Sequence, residues 1–177
     1  MGKIIDFKNY KSRIAEQKAF GAWTRRFGEF YTLSSTLRDL SDPTLFALAE
    51  PGEDSNLAFY DLIMGALELG SASKFHYLDS DQKMKVVDIH LFLADQTRFE
   101  MVYRLGWIRH YSCQSYPLLQ MIADFEHLKP ECRQSPPELS ESHPAQAEYQ
   151  ALIPKDKGTF IRRLLPQALE AFKKRLS

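Results

Sequence analysis

Two cysteines in 177 residues are too few for a disulfide scaffold, so this chain has to be held by a packed core, and a reducing cytoplasm is its expected location. Its eight glycines are scattered. Neither Gly-x-Gly-x-x-Gly nor a Walker loop occurs, which removes the familiar phosphate cradles, and the Gly-x-Ser-x-Gly elbow of serine esterases is missing too. Apolar runs are short, and none approaches the ~20 residues that cross a bilayer. The opening MGKIIDFKNYKSRIAEQ meets Asp6 and Lys8 before any apolar stretch develops, which argues against a secretory signal. Gly2 follows Met1, but Asp6 stands where the myristoylation pattern requires Ser or Thr. Net charge is lacking as well: 23 basic residues balance 23 acidic ones and leave no overall attraction to nucleic acid or anionic lipid.

What the chain does have is apolar mass. Hydrophobic residues make up 44% of it and aromatic residues 12%, enough to bury the core of one domain. Its charge, zero in sum, is sorted along the sequence. Residues 1–31 carry a net +4, residues 32–100 carry −7, residues 134–153 carry −3 and residues 154–177 carry +5. Basic ends and acidic middle are expected to compensate each other within the fold; the rival arrangement leaves the ends free for an acidic partner.

The apolar spacing is helical. Trp23, Phe27, Phe30, Leu33, Leu37 and Leu40 recur at steps of three and four, which predicts one amphipathic helix through that stretch. A first helix is predicted before it, over residues 6–20, ending near Gly21. Asp42 and Pro43 fit the cap and first position of a short helix to about residue 50, and a fourth helix runs over residues 55–69 and ends at Gly70. Asp79 with Gln82 makes a capping-box pattern that opens the longest helix, residues 80–105, apolar on nearly every side in MKVVDIHLFLA. Gly106 is placed to stop it. A sixth helix is predicted over residues 116–128, with Ser115 as its cap. The stretch PECRQSPPELSESHP, residues 130–144, holds four prolines and reads as a linker or mobile loop. Two helices follow, over residues 145–152 and 157–176. No alternating strand pattern and no Asn-Gly or Asp-Gly hairpin turn interrupts them.

Most juxtapositions that suggest chemistry dissolve on a helix. Asp88 and His90 point roughly 200° apart and cannot share a metal. Asp88 and Asp95 do share a face, with Arg98 a turn beyond, a pattern expected of a surface ion pair. His90, among Val86, Val87, Leu93 and Ala94, is expected to be a buried polar group rather than a ligand. Asp124 and His127 do bring a carboxylate and an imidazole to one face. A dinuclear carboxylate bundle needs paired Glu-x-x-His motifs, and the chain has none; Cys-x-x-Cys and His-Glu-x-x-His are missing too. No metal and no cofactor is expected.

The densest stretch is YRLGWIRHYSC, residues 103–113. Tryptophan, tyrosine and arginine are enriched at interface hot spots, so Arg104, Trp107, Arg109, His110 and Tyr111 form the candidate partner-binding surface. In the alternative packing, Trp107, Ile108 and Tyr111 lie under the junction while the arginines face water. Cys113 is the candidate reactive thiol. A helix continuing past Gly106 would set Arg109 and His110 beside its sulfur; a helix that stops would leave the sulfur before the next helix and its N-terminal dipole. In the tail DKGTFIRRLLPQALEAFKKRLS, Ile161, Leu165, Ala168, Phe172 and Leu176 make a stripe opposite Arg162, Arg163, Glu170, Lys173 and Lys174. This basic amphipathic helix, bent at Pro166, is expected to dock on its own core rather than on a membrane surface.

The run FYTLSSTLRDLSDPTLFALAE, with the chain's size and helical content, resembles the cytoplasmic chaperones that mature bacterial redox enzymes. The likeness is one of fold class, the middle of the chain carries no signature of those proteins, and what it implies is protein binding. The expected architecture is an all-α, single-domain bundle of about seven to eight helices around the central helix at residues 80–105. Residues 1–129 form the helical core, residues 130–144 the Pro/Ser-rich loop, and residues 145–177 the C-terminal helices packed on the same domain. The expected function is binding of another macromolecule, a protein before a nucleic acid, as an adaptor, regulator or chaperone-like factor without enzymatic activity. The alternative is an enzyme using a reactive thiol or a scattered mononuclear metal site, with Cys113, His110, Asp124 and His127 as its residues. Nucleic-acid binding through the basic ends comes third, because the acidic centre repels phosphate.

Overall fold

Helix α1, Phe7–Phe27, runs straight through Gly21 and stops where Gly28 enters the left-handed region at φ 69°, its amide bonded to the Thr24 carbonyl at 2.9 Å. A glycine inside a helix costs only about 1 kcal/mol against alanine, and burial outweighs that. Ala19, Phe20 and Trp23 are buried in the core, and the Trp23 indole donates to the Ala58 carbonyl at 2.7 Å. The helix expected over residues 23–40 is therefore not one element. Beyond Gly28 the chain is irregular as far as a 3₁₀ turn at Leu37–Asp39; Tyr31, Leu37 and Leu40 are buried, but Phe30 is 94% exposed. The structure, a computed structural model, describes residues 7–177; what the sequence predicts for residues 1–6, including Gly2 and the start of the first helix at Asp6, lies outside them.

Helix α2, Asp42–Ala49, begins one residue earlier than expected, because Ser41 is the cap: its hydroxyl accepts from the Thr44 amide at 3.3 Å. Helix α3, Glu53–Ala66, packs along α1 so closely at Gly65 that a Cβ there would lie 2.0 Å from the Lys18 carbonyl oxygen. Helix α4, Ser80–Arg104, opens with the expected capping box. Asp79 accepts from the Gln82 amide at 2.8 Å, and the Gln82 side chain accepts from the Asp79 amide at 3.1 Å. Gly106, at φ 77°, ends it.

The second half departs further from expectation. Strand β1, Ile108–His110, follows α4 directly. The predicted sixth helix is split at Asp124 into α5, Leu118–Ala123, and α6, Phe125–Gln134, with Pro130 inside α6. Strand β2, Glu138–Leu139, then pairs antiparallel with β1, setting Ile108 opposite Leu139 and His110 opposite Glu138. Residues 130–144 are thus only in part the loop their composition suggests: residues 130–134 continue α6 and residues 138–139 pair with β1, and the irregular residues around β2 are tied down rather than a free linker. The Ser140 amide and hydroxyl donate to the Trp107 and Gly106 carbonyls at 2.8 and 2.7 Å, and the Tyr149 hydroxyl donates to the Pro137 carbonyl. Backbone groups that prolines leave without helical partners find them in residues 106–110. After α7, Gln146–Gln150, the expected last helix is two: α8, Pro154–Arg163, and α9, Leu165–Leu176, with Pro166 in the first turn of α9, where a missing amide costs nothing.

Nine α-helices and one two-stranded sheet are thus present among the described residues, and the fold is all-α as the periodicity implies. Helix α4 is its centre, in contact with α2, α3, α9 and β1. The tail lies on this core: Ala168 and Phe172 of α9 are fully buried, and the Phe172 ring stacks on Phe46 at 6.3 Å. Basic ends meet the acidic middle in ion pairs: Lys18–Glu68 at 3.2 Å, Arg26–Asp54 at 3.9 Å, Arg162–Asp95 at 3.0 Å and Arg175–Asp42 at 3.2 Å. Among the described residues no helix is long and apolar enough to cross a membrane.

Candidate functional site

The residues singled out between 103 and 113 face different ways. The Arg104 guanidinium is turned inward and shared among Glu100 (2.9 Å), Asp42 (2.9 Å) and the Leu37 carbonyl (2.9 Å). Tyr111, also buried, donates to the second oxygen of Glu100 at 2.5 Å. Burial and the adjacent carboxylate hold the Tyr111 phenol far above its usual pKa, so it stays a donor. Glu100, 2% exposed, is in this way satisfied from both sides. Arg109 and His110 face solvent from β1, with Arg109 paired to Glu141 at 3.2 Å. Trp107 is half-buried, edge-on to His143 at 5.6 Å, in an open groove with Phe160 and Leu164. Trp107, Arg109 and His110 are the part of the set that reaches water.

The other chemical candidates are dispersed. Asp124 sits at the α5–α6 junction and accepts from the Gln120 amide group, while His127 is exposed on α6 and His110 on β1. Among the described residues no three His, Cys, Asp or Glu side chains are grouped as a metal ion requires. His90 packs against the rings of Phe59 and Tyr60, at 5.4 and 5.2 Å, where burial and then the nearby Arg98 charge lower its pKa and keep it neutral. Asp95 pairs with Arg162 instead of Arg98, whose Nε donates to the Ala49 carbonyl at the end of α2 at 3.0 Å. Cys113 is 1% exposed, and its sulfur lies 3.3 Å from that of Cys132.

The side chains that do converge surround a cleft of about 440 Å³ between α4, α6 and the start of α8. From α4 come Phe92, Asp95, Gln96 and Phe99, at the i, i+3, i+4, i+7 spacing that aligns residues on one helical face, with Asp88 and Leu91 a turn earlier. Phe92 is braced edge-on by Phe125 at 5.7 Å, and Leu91, 58% exposed, stands at the mouth. Helix α6 contributes Lys129, Cys132 and Arg133; α8 contributes Lys155 and Arg162. The result is an aromatic floor under a rim in which cations outnumber carboxylates. Gln96 is the anomaly on that floor: only 4% exposed, its side-chain oxygen has no hydrogen-bond donor among the described residues.

Asp88 and Asp95 share one face of α4 as their spacing implies, but the walls of the cleft have no such signature in the sequence. Lys129, Cys132 and Arg133 fall at the end of a helix predicted to stop at residue 128, and Pro136 and Pro137 lie in the supposed loop. The signal available was Gln96 itself, an uncharged polar residue one turn from Phe92 and Phe99 on the same face of α4. Compared with protein-family models, with curated proteins and with solved structures, the chain finds no match.

Proposed function

We propose that this chain binds a segment of another protein, extended and both acidic and apolar, in the cleft between α4, α6 and α8. The carrying observation is the buried, unpartnered oxygen of Gln96. Leaving such an acceptor without a donor costs roughly 1–3 kcal/mol, and a backbone N–H of a bound peptide supplies the missing partner. Phe92, Phe99 and Leu91 offer an apolar side chain a floor. Lys129, Arg133 and Lys155, which make no ion pair within 4 Å among the described residues, offer its carboxylates a rim; Asp88 opposes them and directs those carboxylates toward the α6–α8 side. The cleft volume falls in the roughly 300–1,000 Å³ range of sites that enclose a ligand.

Selecting a phage-displayed random peptide library on the full chain tests this reading. Enriched peptides are expected to join Asp or Glu to Leu, Phe or similar residues. Their binding should fall roughly tenfold or more, about 1.4 kcal/mol, in Arg133→Glu and Lys155→Glu, and stay unchanged in Lys173→Glu, which lies outside the cleft. Selection of basic peptides, or binding indifferent to Arg133 and Lys155, would remove the reading.

A further inference from the structure

The two cysteines of this chain are nineteen residues apart in sequence and 3.3 Å apart at their sulfurs. Cys113 follows β1 and is sealed in the core; Cys132 lies on α6, is only partly buried and lines the cleft. The link between them is held locally on both sides, since the Ser112 hydroxyl donates to the Ser135 carbonyl at 2.9 Å. We propose that Cys113 and Cys132 are a redox pair, with Cys132 as the thiol that hydroperoxides reach through the cleft and Cys113 as the resolving thiol that closes an intramolecular disulfide. The inference rests on the sulfur geometry and holds whatever the cleft binds.

The asymmetry of the pair assigns the roles. Cys132 is the more exposed sulfur and the one that lines the cleft, and a hydrogen bond from the Cys113 thiol in this contact favours the Cys132 thiolate while that bond and burial hold the Cys113 thiol up. The thiolate is the nucleophile, so the accessible sulfur is also the one prepared to react. In the first step the Cys132 sulfur attacks one peroxide oxygen. A sulfur–oxygen bond forms, the oxygen–oxygen bond breaks, and hydroxide or alkoxide leaves and is protonated. In the second the Cys113 sulfur attacks the Cys132 sulfenic acid. The sulfur–sulfur bond forms, the sulfur–oxygen bond breaks, and the departing hydroxide takes the Cys113 proton to leave as water. Two thiols are oxidised, one peroxide is reduced, and a dithiol reductant reverses the change. Sulfurs already in contact need only small shifts to reach a bond of about 2.0 Å. In a reducing compartment a pair like this is transient and sensing rather than structural.

The test uses the reduced protein, treated with hydrogen peroxide, quenched with iodoacetamide and cut after glutamate, which separates the two cysteines at Glu126 and Glu131. The expected product is a Cys113–Cys132 cross-linked peptide two hydrogens lighter than the reduced pair, formed at a rate independent of protein concentration and lost on adding dithiothreitol. In Cys113→Ser, Cys132 should stop at the sulfenic acid and be captured by dimedone. In Cys132→Ser, native-state alkylation of Cys113 should be roughly tenfold or more slower than that of Cys132 in Cys113→Ser. Full alkylation of both thiols after excess peroxide, disulfides only between molecules, or equal reactivity of the two single variants would overturn the proposal.

Discussion

Arg104 leaves water with its guanidinium fully engaged, by Glu100, Asp42 and the Leu37 carbonyl, while its own backbone carbonyl accepts from Arg175 at 2.8 Å. Its neighbour two turns back on α4, Gln96, leaves water with its oxygen unpaired. The two predict opposite responses to truncation. Arg104→Ala strands Glu100 as a buried charge and should cost about 3–5 kcal/mol, read as a large drop in the urea midpoint. Arg109→Ala, on the exposed side of β1, should stay within about 0.5 kcal/mol, so adjacent arginines of one sequence patch separate cleanly. Gln96→Met keeps the volume and removes the orphaned acceptor, and it should raise stability by roughly 1 kcal/mol. A residue that weakens the fold where it stands is what a site residue does when its partner comes from outside. If Gln96→Met instead lowers the midpoint, Gln96 is part of the packing and not of the cleft.

At the scale of elements, α1 lies backbone to backbone against α3 at Gly65. With Gly65 set against the Lys18 backbone, an added methyl group has no flexible side chain to displace and must push the two helices apart. Gly65→Ala should therefore destabilise by about 1–3 kcal/mol or more despite alanine's better helix propensity, whereas Gly21→Ala, which meets only the tip of Arg25 at 3.5 Å, should stabilise by roughly 0.5–1 kcal/mol. Thermal midpoints of the two variants moving in the same direction would contradict this packing. The contrast also shows why the spacing predicts too early an end for α1, at Gly21: a glycine that breaks a helix and one that a helix runs through look alike in one dimension. Helices that carry their own instructions were legible. Asp79 and Gln82 announce α4, and the Ile161–Phe172 stripe announces a tail that lies on the core. Elements that owe their form to distant partners were not. A two-residue strand is too short to alternate, so β2 exists only because residues 106–110 supply its hydrogen bonds, and with it went the wall of the cleft. Cys113 and Cys132 are likewise adjacent only once the end of α6 returns to the segment after β1, where the Ser112 hydroxyl meets the Ser135 carbonyl.

At the scale of the whole molecule, a chain of zero net charge is closed by charge. Its N-terminal helix and C-terminal helices are basic, its middle acidic, and each of Lys18, Arg26, Arg162 and Arg175 finds its carboxylate in residues 32–100. Surface pairs contribute only ~0.2–1 kcal/mol each, and the widest of these, Arg26–Asp54 at 3.9 Å, belongs at the low end. Their sign, however, is shared: each pulls an end toward the centre, and no global repulsion stands against them. Screening should accordingly loosen the fold. Raising NaCl from about 0.02 M to about 0.5 M shortens the Debye length from roughly 20 Å to about 4 Å and should lower urea-unfolding stability by about 1 kcal/mol. Arg175→Gln, which removes the pair to Asp42 and weakens the tie to the end of α4, should flatten that salt response along with lowering stability at low salt. A stability that rises with salt, or a response that Arg175→Gln leaves unchanged, would mean that the apolar contacts of Ala168 and Phe172 hold α9 without electrostatic help.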